Sequence, residues 1–443
     1  MDDTQDKLAD RYLTALREKS VIMVEYLLKS GLDPNYIFTN NADLKDKTLL
    51  SLAIKKEACD IIRMLIQFKA RINAIKEDEI PPLRYALMYR RVNPKMIKLL
   101  IELGANVSDI DAKYGKDGAI QLALKNSRLS TIGIIKLLVN NGADVNHIGE
   151  DGFTPVITCV SLPIRNHKNI LLFLIKKQAN IDAKNYHGNS VLFYPILNID
   201  IFDFNLNNFK YGSTDLTGKK FYYEKYYKII FLLVKFGIDI HVQNNNGYTL
   251  LHVILEKVNE ILKKKELTLK EKFTIKDMCF DIFNYFINHW NYEKLDLKTK
   301  EDDTILNLGI KLELYSFVDL ILKKNSPLYN FIDYNTRDNS GNTPLHNALK
   351  PIKPMFSLIE YFIRNNCDRF AKNNEGKMPI EMLSSERKRF TDEEKTILEL
   401  LSKPKPVDFR EFILIDSSDE SEIPLINETI TDDNLTKQYT DDF

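Results

Sequence analysis

Cysteine is scarce in this chain of 443 residues, and glycine and proline are few. The four cysteines, Cys59, Cys159, Cys279 and Cys367, lie far apart along the chain. That spacing fits neither a disulfide framework nor the ligand set of a zinc site, so we expect reduced thiols in an intracellular protein. The 16 glycines and 15 prolines leave little material for long flexible linkers.

Long apolar runs and an excess of one charge are also missing. No stretch approaches the roughly 18 consecutive apolar residues of a membrane-spanning helix, and the acidic residues 1–6 do not resemble a secretory signal. Basic and acidic residues both number 62, so the formal net charge is zero. Nucleic-acid-binding proteins usually carry an excess of basic residues. We therefore expect no membrane or nucleic-acid partner, and a location inside a cell.

Motifs that carry chemistry are missing as well. The chain contains no phosphate-binding glycine loop, no dinucleotide-binding glycine turn and no His-Glu-x-x-His helix, and its seven histidines are scattered. No group of serine, cysteine or carboxylate residues stands out as a catalytic site. We expect no enzyme, no cofactor and no metal ion.

The chain does contain an internal repeat. An apolar phrase with helical spacing, followed by a small residue and a short polar run, occurs at residues 24–35, 97–108 and 135–146. Glycine suits the position after the helix because it adopts the left-handed conformation at low cost. That slot is filled in turn by Gly31, Lys69, Gly104, Gly142, Gln178, Gly237, Trp290, Asn325 and Asn366.

A second phrase lies between the copies of the first. It occurs as Gly-Phe-Thr-Pro-Val-Ile at 152–157, Gly-Tyr-Thr-Leu-Leu-His at 247–252 and Gly-Asn-Thr-Pro-Leu-His at 341–346. Glycine permits a tight turn, threonine caps a helix, and proline fits the first helical position. The phrase therefore predicts the start of a helix.

The two phrases together resemble the ankyrin repeat, over roughly residues 8 to 403. The resemblance implies an all-α solenoid of about nine to ten helix-turn-helix repeats joined by β-hairpin loops. Within this unit, residues 1–403, two insertions are expected at about 194–226 (aromatic) and 256–277 (lysine-rich, extending two helices). Lys69, Gln178 and Trp290 replace the usual glycine, so those turns should be strained or differently capped.

The resemblance also implies a function, namely reversible binding of a protein partner on the concave face of the solenoid. The hairpin tips and inner helices would supply the contacts. Our candidates for partner contact are Tyr186, His187, Asn244, Asn246, Tyr248, Asp338, Asn339 and Asn374. We expect the chain to be a monomer.

Three further residues are singled out by their place in the repeat. His252 and His346 stand in the helix-start phrase, where the family uses the imidazole to brace neighbouring turns. Asn146 ends an Ala-Asp-Val-Asn run, and asparagines at that place are hydroxylated in some ankyrin-like repeats. A purely structural asparagine is the competing interpretation.

After the repeats the composition changes. Residues 404–443 form an acidic tail, and from Val407 onward about eleven acidic residues face only Arg410 and Lys437. This composition predicts disorder. The tail contains a short apolar run followed by acids and serines, which resembles a SUMO-interacting motif, with Ser417 as a candidate phosphorylation site. The residues concerned are Ile413, Leu414, Ile415, Asp416 and Ser417. A tail that folds back on the last repeat is the alternative.

The predicted function is therefore that of a protein–protein interaction scaffold or adaptor. An adaptor of the ubiquitin or SUMO pathway acting through the tail, binding SUMO or a SUMO-modified protein, is the first alternative, and a structural spacer is the second. Frequent lysine, asparagine, isoleucine and tyrosine indicate an AT-rich genome. Together with the divergent repeats, this is similar to ankyrin repeat proteins of large DNA viruses or intracellular bacteria.

Overall fold

The structure is a computed structural model. It describes residues 2–38, 43–73, 80–89, 93–108, 117–126, 129, 131–162, 167–199, 228–291, 294, 296–323, 331–351, 354–383 and 390–402. The predicted tail motif and most of the predicted aromatic insertion lie outside the described residues.

The described residues form helices that follow one another in ten antiparallel pairs. The helices are α1 (Asp2–Arg17), α2 (Val21–Lys29), α3 (Leu49–Lys55), α4 (Cys59–Gln67), α5 (Pro82–Met88), α6 (Pro94–Glu102), α7 (Ala119–Lys125), α8 (Ile132–Asn140), α9 (Pro155–Ser161), α10 (His167–Lys176), α11 (Tyr194–Leu197), α12 (228–235), α13 (Leu250–Lys263), α14 (Leu269–Asn288), α15 (Ile305–Lys311), α16 (Tyr315–Leu322), α17 (Pro344–Leu349), α18 (Phe356–Arg364) and α19 (Asp392–Ser402). A 3-10 helix precedes α11 (Val191–Phe193), and another (Pro379–Met382) pairs with α19.

Hairpin-shaped loops join successive pairs. Within the described part of the chain their strand-like pairing is limited to two isolated bridges, Ile37 to Thr48 and Lys184 to Ser190. The fold is thus the expected all-α solenoid, with the hairpins present as turns.

The helix starts form as their sequence predicts. The hydroxyl oxygens of Thr48, Thr154 and Thr304 accept hydrogen bonds from the backbone N–H three residues later, at 3.1, 3.4 and 3.3 Å. Each hydroxyl satisfies a backbone donor that the helix itself leaves unpaired, which stabilises a helix by about 1 kcal/mol. These caps explain why the first helices of these three pairs begin directly after the hairpin.

The ends of the second helices show the cost of replacing glycine. Gly31 and Gly104 have φ of 98° and 96°, whereas Lys69 and Gln178 occupy the same left-handed region at 71° and 63°. A side chain in that region costs roughly 1–2 kcal/mol. The predicted strain is therefore present at Lys69 and Gln178. Trp290 differs, because its ring is buried and its Nε1 donates to the Lys294 carbonyl at 3.2 Å.

The apolar core runs along the stack as two clusters. One cluster of buried side chains extends from Ala9 to Ile321, and a second extends from Leu306 to Leu401. The two clusters overlap in sequence at the pair α15–α16. Each pair thus buries its apolar faces against its neighbours, as the repeat pattern requires.

One pair is much longer than the others. Helix α13 has 14 residues and α14 has 20, and the lysine-rich segment 256–277 forms the end where they meet. Thr268 and Glu271 form a reciprocal cap at the start of α14, with the Thr268 N–H donating to Glu271 Oε2 at 2.7 Å. The pair therefore extends beyond its neighbours as a helical hairpin.

Candidate partner-binding surface

Six of the described hairpins end in tight five-residue turns, which we call the tip loops. In each one, the N–H of the first residue donates to the carbonyl of the fifth at 2.8–3.1 Å. The fourth residue has positive φ, as at Gly247 (76°) and Gly341 (76°), with Asp302 (59°) as the exception to glycine. The six tip loops are 149–153, 185–189, 244–248, 299–303, 338–342 and 373–377.

The first side chain of a tip loop holds the turn closed. In the last five tip loops its oxygen accepts hydrogen bonds from the backbone N–H groups of the third and fifth residues. Asp338 Oδ1, for example, accepts from Ser340 and Asn342 at 2.9 Å each. The residues in this role are Asn185, Asn244, Thr299, Asp338 and Asn373. Short side chains with an oxygen two or three bonds from Cα suit this turn.

Successive tip loops are joined by a ladder of hydrogen bonds. A backbone N–H of each tip loop donates to a carbonyl of the preceding one, as from Asn339 to Glu301 (3.1 Å) and from Asn374 to Ser340 (3.0 Å). Side-chain amides reinforce three steps, with Asn245 donating to Tyr186, Asn339 to Lys300 and Asn374 to Asn339 at 2.7–3.0 Å. The tip loops therefore form one continuous surface whose backbone is fixed.

The structure places all eight predicted contact residues in tip loops, but in two different roles. Asn244 and Asp338 use their side chains inside the turn, and Asp338 is buried. Tyr248 is half-buried, and burial together with Glu256 raises the pKa of its phenol to about 12. The remaining five are exposed: Tyr186, His187, Asn246, Asn339 and Asn374. Their contact with a partner stays a prediction.

Two large exposed apolar side chains, Ile148 and Met88, lie outside the predicted set. Tyr186 is 68% exposed and Ile148, next to the preceding tip loop, is 57% exposed. Met88, the last residue of α5, is 53% exposed. Neither Ile148 nor Met88 is among the contact residues predicted from the sequence. The signal was present, since Met88 stands where α3, α7 and α15 carry the lysines Lys55, Lys125 and Lys311.

Histidines and a glutamine brace the tip loops from below. In both His252 and His346, Nδ1 lies 2.8 Å from the capping threonine hydroxyl, and Nε2 faces a carbonyl of the next tip loop. Burial lowers the pKa of His252 to about 4 and also lowers the pKa of His346. Both rings are therefore neutral braces, as predicted. Gln121 fills the same slot and donates to the His147 and Phe153 carbonyls at 2.9 and 3.1 Å.

A lysine at the end of a first helix joins two tip loops electrostatically. Lys311 Nζ lies 2.6 Å from Asp303 Oδ1 and 2.8 Å from Asp338 Oδ2. Burial raises the pKa of Asp303, because it outweighs the attraction of Lys311. At Asp338 the lysine and the backbone donors together outweigh burial, and the pKa is lowered. Lys125 contacts Asp117 (2.5 Å) and Glu150 (3.7 Å) in the same way.

Asn146 belongs to a second set of contacts, at the opposite ends of the hairpin arms. Its Nδ2 donates to the Gln178 carbonyl (3.3 Å) and its Oδ1 accepts from the Asn180 N–H (2.7 Å). Asn35 and Asn73 make the same pair of bonds to the following repeat. These asparagines therefore clamp one repeat to the next. Hydroxylation of Asn146 stays a prediction.

Among the described residues, no group of three or more histidine, cysteine, aspartate or glutamate side chains has the arrangement of a metal site. No described helix combines the length and apolar composition needed to cross a bilayer.

Helix pairs stacked in one direction, with bonded hairpin tips along one edge, define a helical-repeat solenoid. The family model "Ankyrin repeats (3 copies)" matches residues 83–185. The chain is 28% identical over 313 residues to an ankyrin repeat protein of Acanthamoeba polyphaga mimivirus, covering 66% of this chain and 38% of that protein. Two ankyrin repeat proteins of Fowlpox virus (strain NVSL) are each 26% identical, over 229 residues (50% of this chain, 39% of the relative) and 148 residues (33% and 20%).

The chain carries ankyrin repeats, matched directly at residues 83–185, and the ankyrin repeat proteins to which it is similar are viral. It spans less than two fifths of the length of these curated relatives. The crystal structure of the ankyrin repeat domain of Bcl-3 aligns with 60% of this chain and 96% of its own at 18% identity and a TM-score of 0.40, a score that supports no conclusion. Ankyrin repeats are generally protein–protein interaction modules rather than catalysts.

Proposed function

We propose that this chain is a scaffold or adaptor that binds a partner protein through the exposed tip-loop residues and the adjoining concave face. The observation that carries the proposal is that Tyr186 combines an exposed ring with a hydrogen-bonded backbone. Its ring is 68% exposed, while its N–H donates to Asp151 (3.0 Å) and its carbonyl accepts from Asn245 Nδ2 (2.7 Å). The backbone is thus fixed and the aromatic side chain is free to make contact.

An exposed tyrosine on a rigid support is well suited to protein recognition. Tyrosine gives a large contact area at a small entropic cost and dominates many binding hot spots. Ile148 adds apolar surface nearby, and the exposed amides of Asn246, Asn339 and Asn374 continue the surface with polar groups. A partner that fits would present an apolar centre with hydrogen-bonding groups around it.

The experiment is quantitative affinity capture from eukaryotic cell lysate with the full chain and two variants. The variant Tyr186→Ala with Ile148→Ala should lose the captured partner by about tenfold or more, since hot-spot truncation costs at least ~2 kcal/mol. The control is Phe273→Ala, which removes an exposed aromatic (55% exposed) on α14, away from the tip loops. Equal capture by all three proteins would contradict the proposal and favour a structural spacer.

The acidic tail supports a second candidate, an adaptor that binds SUMO or a SUMO-modified protein. The supporting observation is the sequence of the tail, an apolar run at Ile413–Ile415 followed by Asp416 and further acids. Such a segment can add a strand to a sheet edge while its acids meet a basic rim. Purified SUMO should bind the full chain and not a chain ending at Lys403, and equal binding of both would remove this candidate.

We further propose that the protein acts inside a eukaryotic host cell, in the cytoplasm or nucleus, and catalyses no reaction. The viral origin of the relatives and the binding role general to ankyrin repeats support this view. Expression of the tagged chain in such cells, followed by imaging, tests the location.

A further inference from the structure

The clamp described for Asn146 recurs along the stack. A side chain in the hairpin arm of one repeat accepts a backbone N–H of the following repeat, and we call this contact an arm clamp. The described residues include six arm clamps, with donor–acceptor distances of 2.7–3.2 Å. The acceptor atoms are Oδ1 of Asn35, Asn73, Asn146, Asp182 and Asn335, and Nε2 of His241.

The hydrogen bonds of His241 fix which of its ring nitrogens carries the proton. The backbone N–H of Asn291 can only donate, so Nε2, which lies 3.0 Å from it, must be an acceptor without a hydrogen. Nδ1 then carries the proton and faces Asp239 Oδ1 at 3.2 Å. The arm clamp at His241 therefore requires the neutral ring.

A second proton on the ring would break this arm clamp. Nε2 would become a donor and face the donor N–H of Asn291, so the hydrogen bond between them would be lost. The amide oxygen of an asparagine such as Asn146 stays an acceptor over the same pH range. Of the six side chains, the histidine is the one whose ordinary pKa lies near neutral pH.

The surroundings of the ring set the pH at which it takes up this proton. The side chain of His241 is 13% exposed, and its ring meets the ring of Trp290 edge to face, with 4.5 Å between centroids. Burial lowers the pKa of His241 from the ordinary 6.5. The hydrogen bond to Asp239 opposes this shift, and the positive charge of Lys294, from the next repeat, adds to it. The ring is therefore neutral at pH 7 and becomes charged in acid.

The arm clamp holds the longest helix pair in place. His241 lies between α12 and α13, and Asn291 follows α14, so their bond ties the end of the α13–α14 repeat to the repeat before it. We propose that His241 is an acid-sensitive joint of the solenoid. In acid its ring takes up a proton, releases the backbone of Asn291 and loosens the α13–α14 repeat from the preceding one.

The sign of the effect follows from proton linkage. The released ring has its ordinary pKa of 6.5, so it binds a proton more readily than the ring held in the arm clamp, and lowering the pH favours release. The tip-loop side of the same two repeats does not depend on His241. There the Lys300 N–H donates to the Asn246 carbonyl and Gln243 Nε2 to the Lys298 carbonyl, at 2.9 Å each. Release therefore opens the arm and leaves the repeats attached.

The fluorescence of Trp290 tests the proposal in the full chain, because Trp290 is its single tryptophan. A protonated imidazole in contact with an indole ring quenches the fluorescence of the indole. The wild type should lose fluorescence on acidification, with a midpoint below pH 6.5. His241→Asn restores the amide acceptor found at Asn146 and should show no such transition.

His289 provides the matched control, because it precedes Trp290 directly. Its Nδ1 lies 2.7 Å from the Tyr285 carbonyl. Asn141 and Asn365 stand at the equivalent place and donate to the carbonyl four residues back at 2.8 Å each. His289→Asn can therefore keep this bond, and it should keep the fluorescence transition.

Hydrogen exchange at the Asn291 N–H measures the arm clamp itself, after correction for the intrinsic effect of pH on exchange. Protection in the wild type should fall about fivefold between pH 7.5 and pH 5, the factor that a hydrogen bond of ordinary strength supports. Protection in His241→Asn should not fall, and circular dichroism verifies that each protein stays folded at both pH values. Protection of Asn291 that does not depend on pH, or an equal fall in wild type and His241→Asn, would overturn the proposal.

Discussion

Gly341 lies so close to the next tip loop that a Cβ on it would stand 2.8 Å from the backbone nitrogen of Asn374. That nitrogen donates to the Ser340 carbonyl at 3.0 Å, so the close approach is the ladder itself. Gly341 also has a φ of +76°. Glycine is required here for two separate reasons, namely the left-handed backbone and the space for the neighbouring turn.

Gly341→Ala should therefore destabilise the protein more than the left-handed conformation alone explains. We expect about 1–2 kcal/mol from the backbone and a further ~1–3 kcal/mol from the displaced tip loop. Urea unfolding gives the stability, and hydrogen exchange at Asn374 reports the ladder bond directly.

Gly376 provides the control, because its φ is +77° and a Cβ on it would meet nothing within 4 Å. Gly376→Ala should show the backbone cost only. If the two variants lose the same stability, the ladder has no energetic role at this step.

Lys311 is predicted to hold two tip loops together through Asp303 and Asp338. Lys311→Met leaves both carboxylates without their cation in a mostly buried place, and the expected loss is about 2–4 kcal/mol. Adding Asp303→Asn removes one of the two uncompensated charges and should restore part of the loss. Thermal or urea unfolding of the single and double variants measures both effects.

Lys55 is the matched control, since it occupies the equivalent place at the end of α3 and is exposed. Lys55 takes part in no ion pair among the described residues. Lys55→Met should change stability by less than about 0.5 kcal/mol. A Lys311→Met variant as stable as Lys55→Met would show that solvent screens the bridge.

The repeats could be predicted from the sequence because their signals are local. The cap at Thr304, the turn at Gly341 and the left-handed residue at Gly104 each depend on a few neighbouring residues. The brace at His252 also followed from its position in the phrase. The roles of Asn244 and Asp338 did not, because an asparagine or aspartate in a tip loop can face a partner or close its own turn. Only the backbone geometry distinguishes the two.

The surface residues were harder to predict for a similar reason. The exposure of Tyr26 depends on whether a neighbouring helix covers it, and its counterpart Leu99 has the same apolar character in a buried place. Composition and periodicity describe a helix face but not its occupant. The same limit applies to Ile148.

The clamp of Asn146 gives a prediction about stability. Asn146→Ala removes two hydrogen bonds to the following repeat. The carbonyl of Gln178, a residue with positive φ, loses the donor that Asn146 supplied. At roughly 0.5–1.5 kcal/mol for each bond, the expected loss is about 1–3 kcal/mol. Urea unfolding measures it.

Asn106→Ala is the control, because the described side-chain bond of Asn106 is the local one to Ser108 (3.0 Å). It should cost less than Asn146→Ala. Equal losses would mean that the inter-repeat bonds of Asn146 add nothing to stability.

The predicted hydroxylation of Asn146 has its own test. After treatment with an asparaginyl hydroxylase, peptide mass spectrometry should find one added oxygen on Asn146 and none in the Asn146→Ala chain.

The buried neutral His252 makes the stability depend on pH in a predictable direction. Its pKa is about 4 in the folded protein because of burial, against 6.5 in an unfolded chain. As the pH falls, the unfolded chain therefore binds a proton at His252 before the folded protein does. Titration of His252 has no effect on stability above about pH 6.5, and it lowers the free energy of unfolding as the pH falls from 6.5 toward 4. The expected loss between pH 7.5 and pH 5 is about 2 kcal/mol, from 1.36 kcal/mol per pKa unit.

His252→Gln isolates this effect, because Gln121 fills the same slot in the α7 repeat with a neutral side chain that keeps the bonds to the next tip loop. Stability of the wild type and of His252→Gln should be compared by urea unfolding at pH 7.5 and pH 5. The variant should lose about 2 kcal/mol less than the wild type over this range, because glutamine does not titrate. An identical pH dependence would mean that the pKa of His252 is the same in the folded and unfolded states, and the ring would then be charged in the folded protein at pH 5.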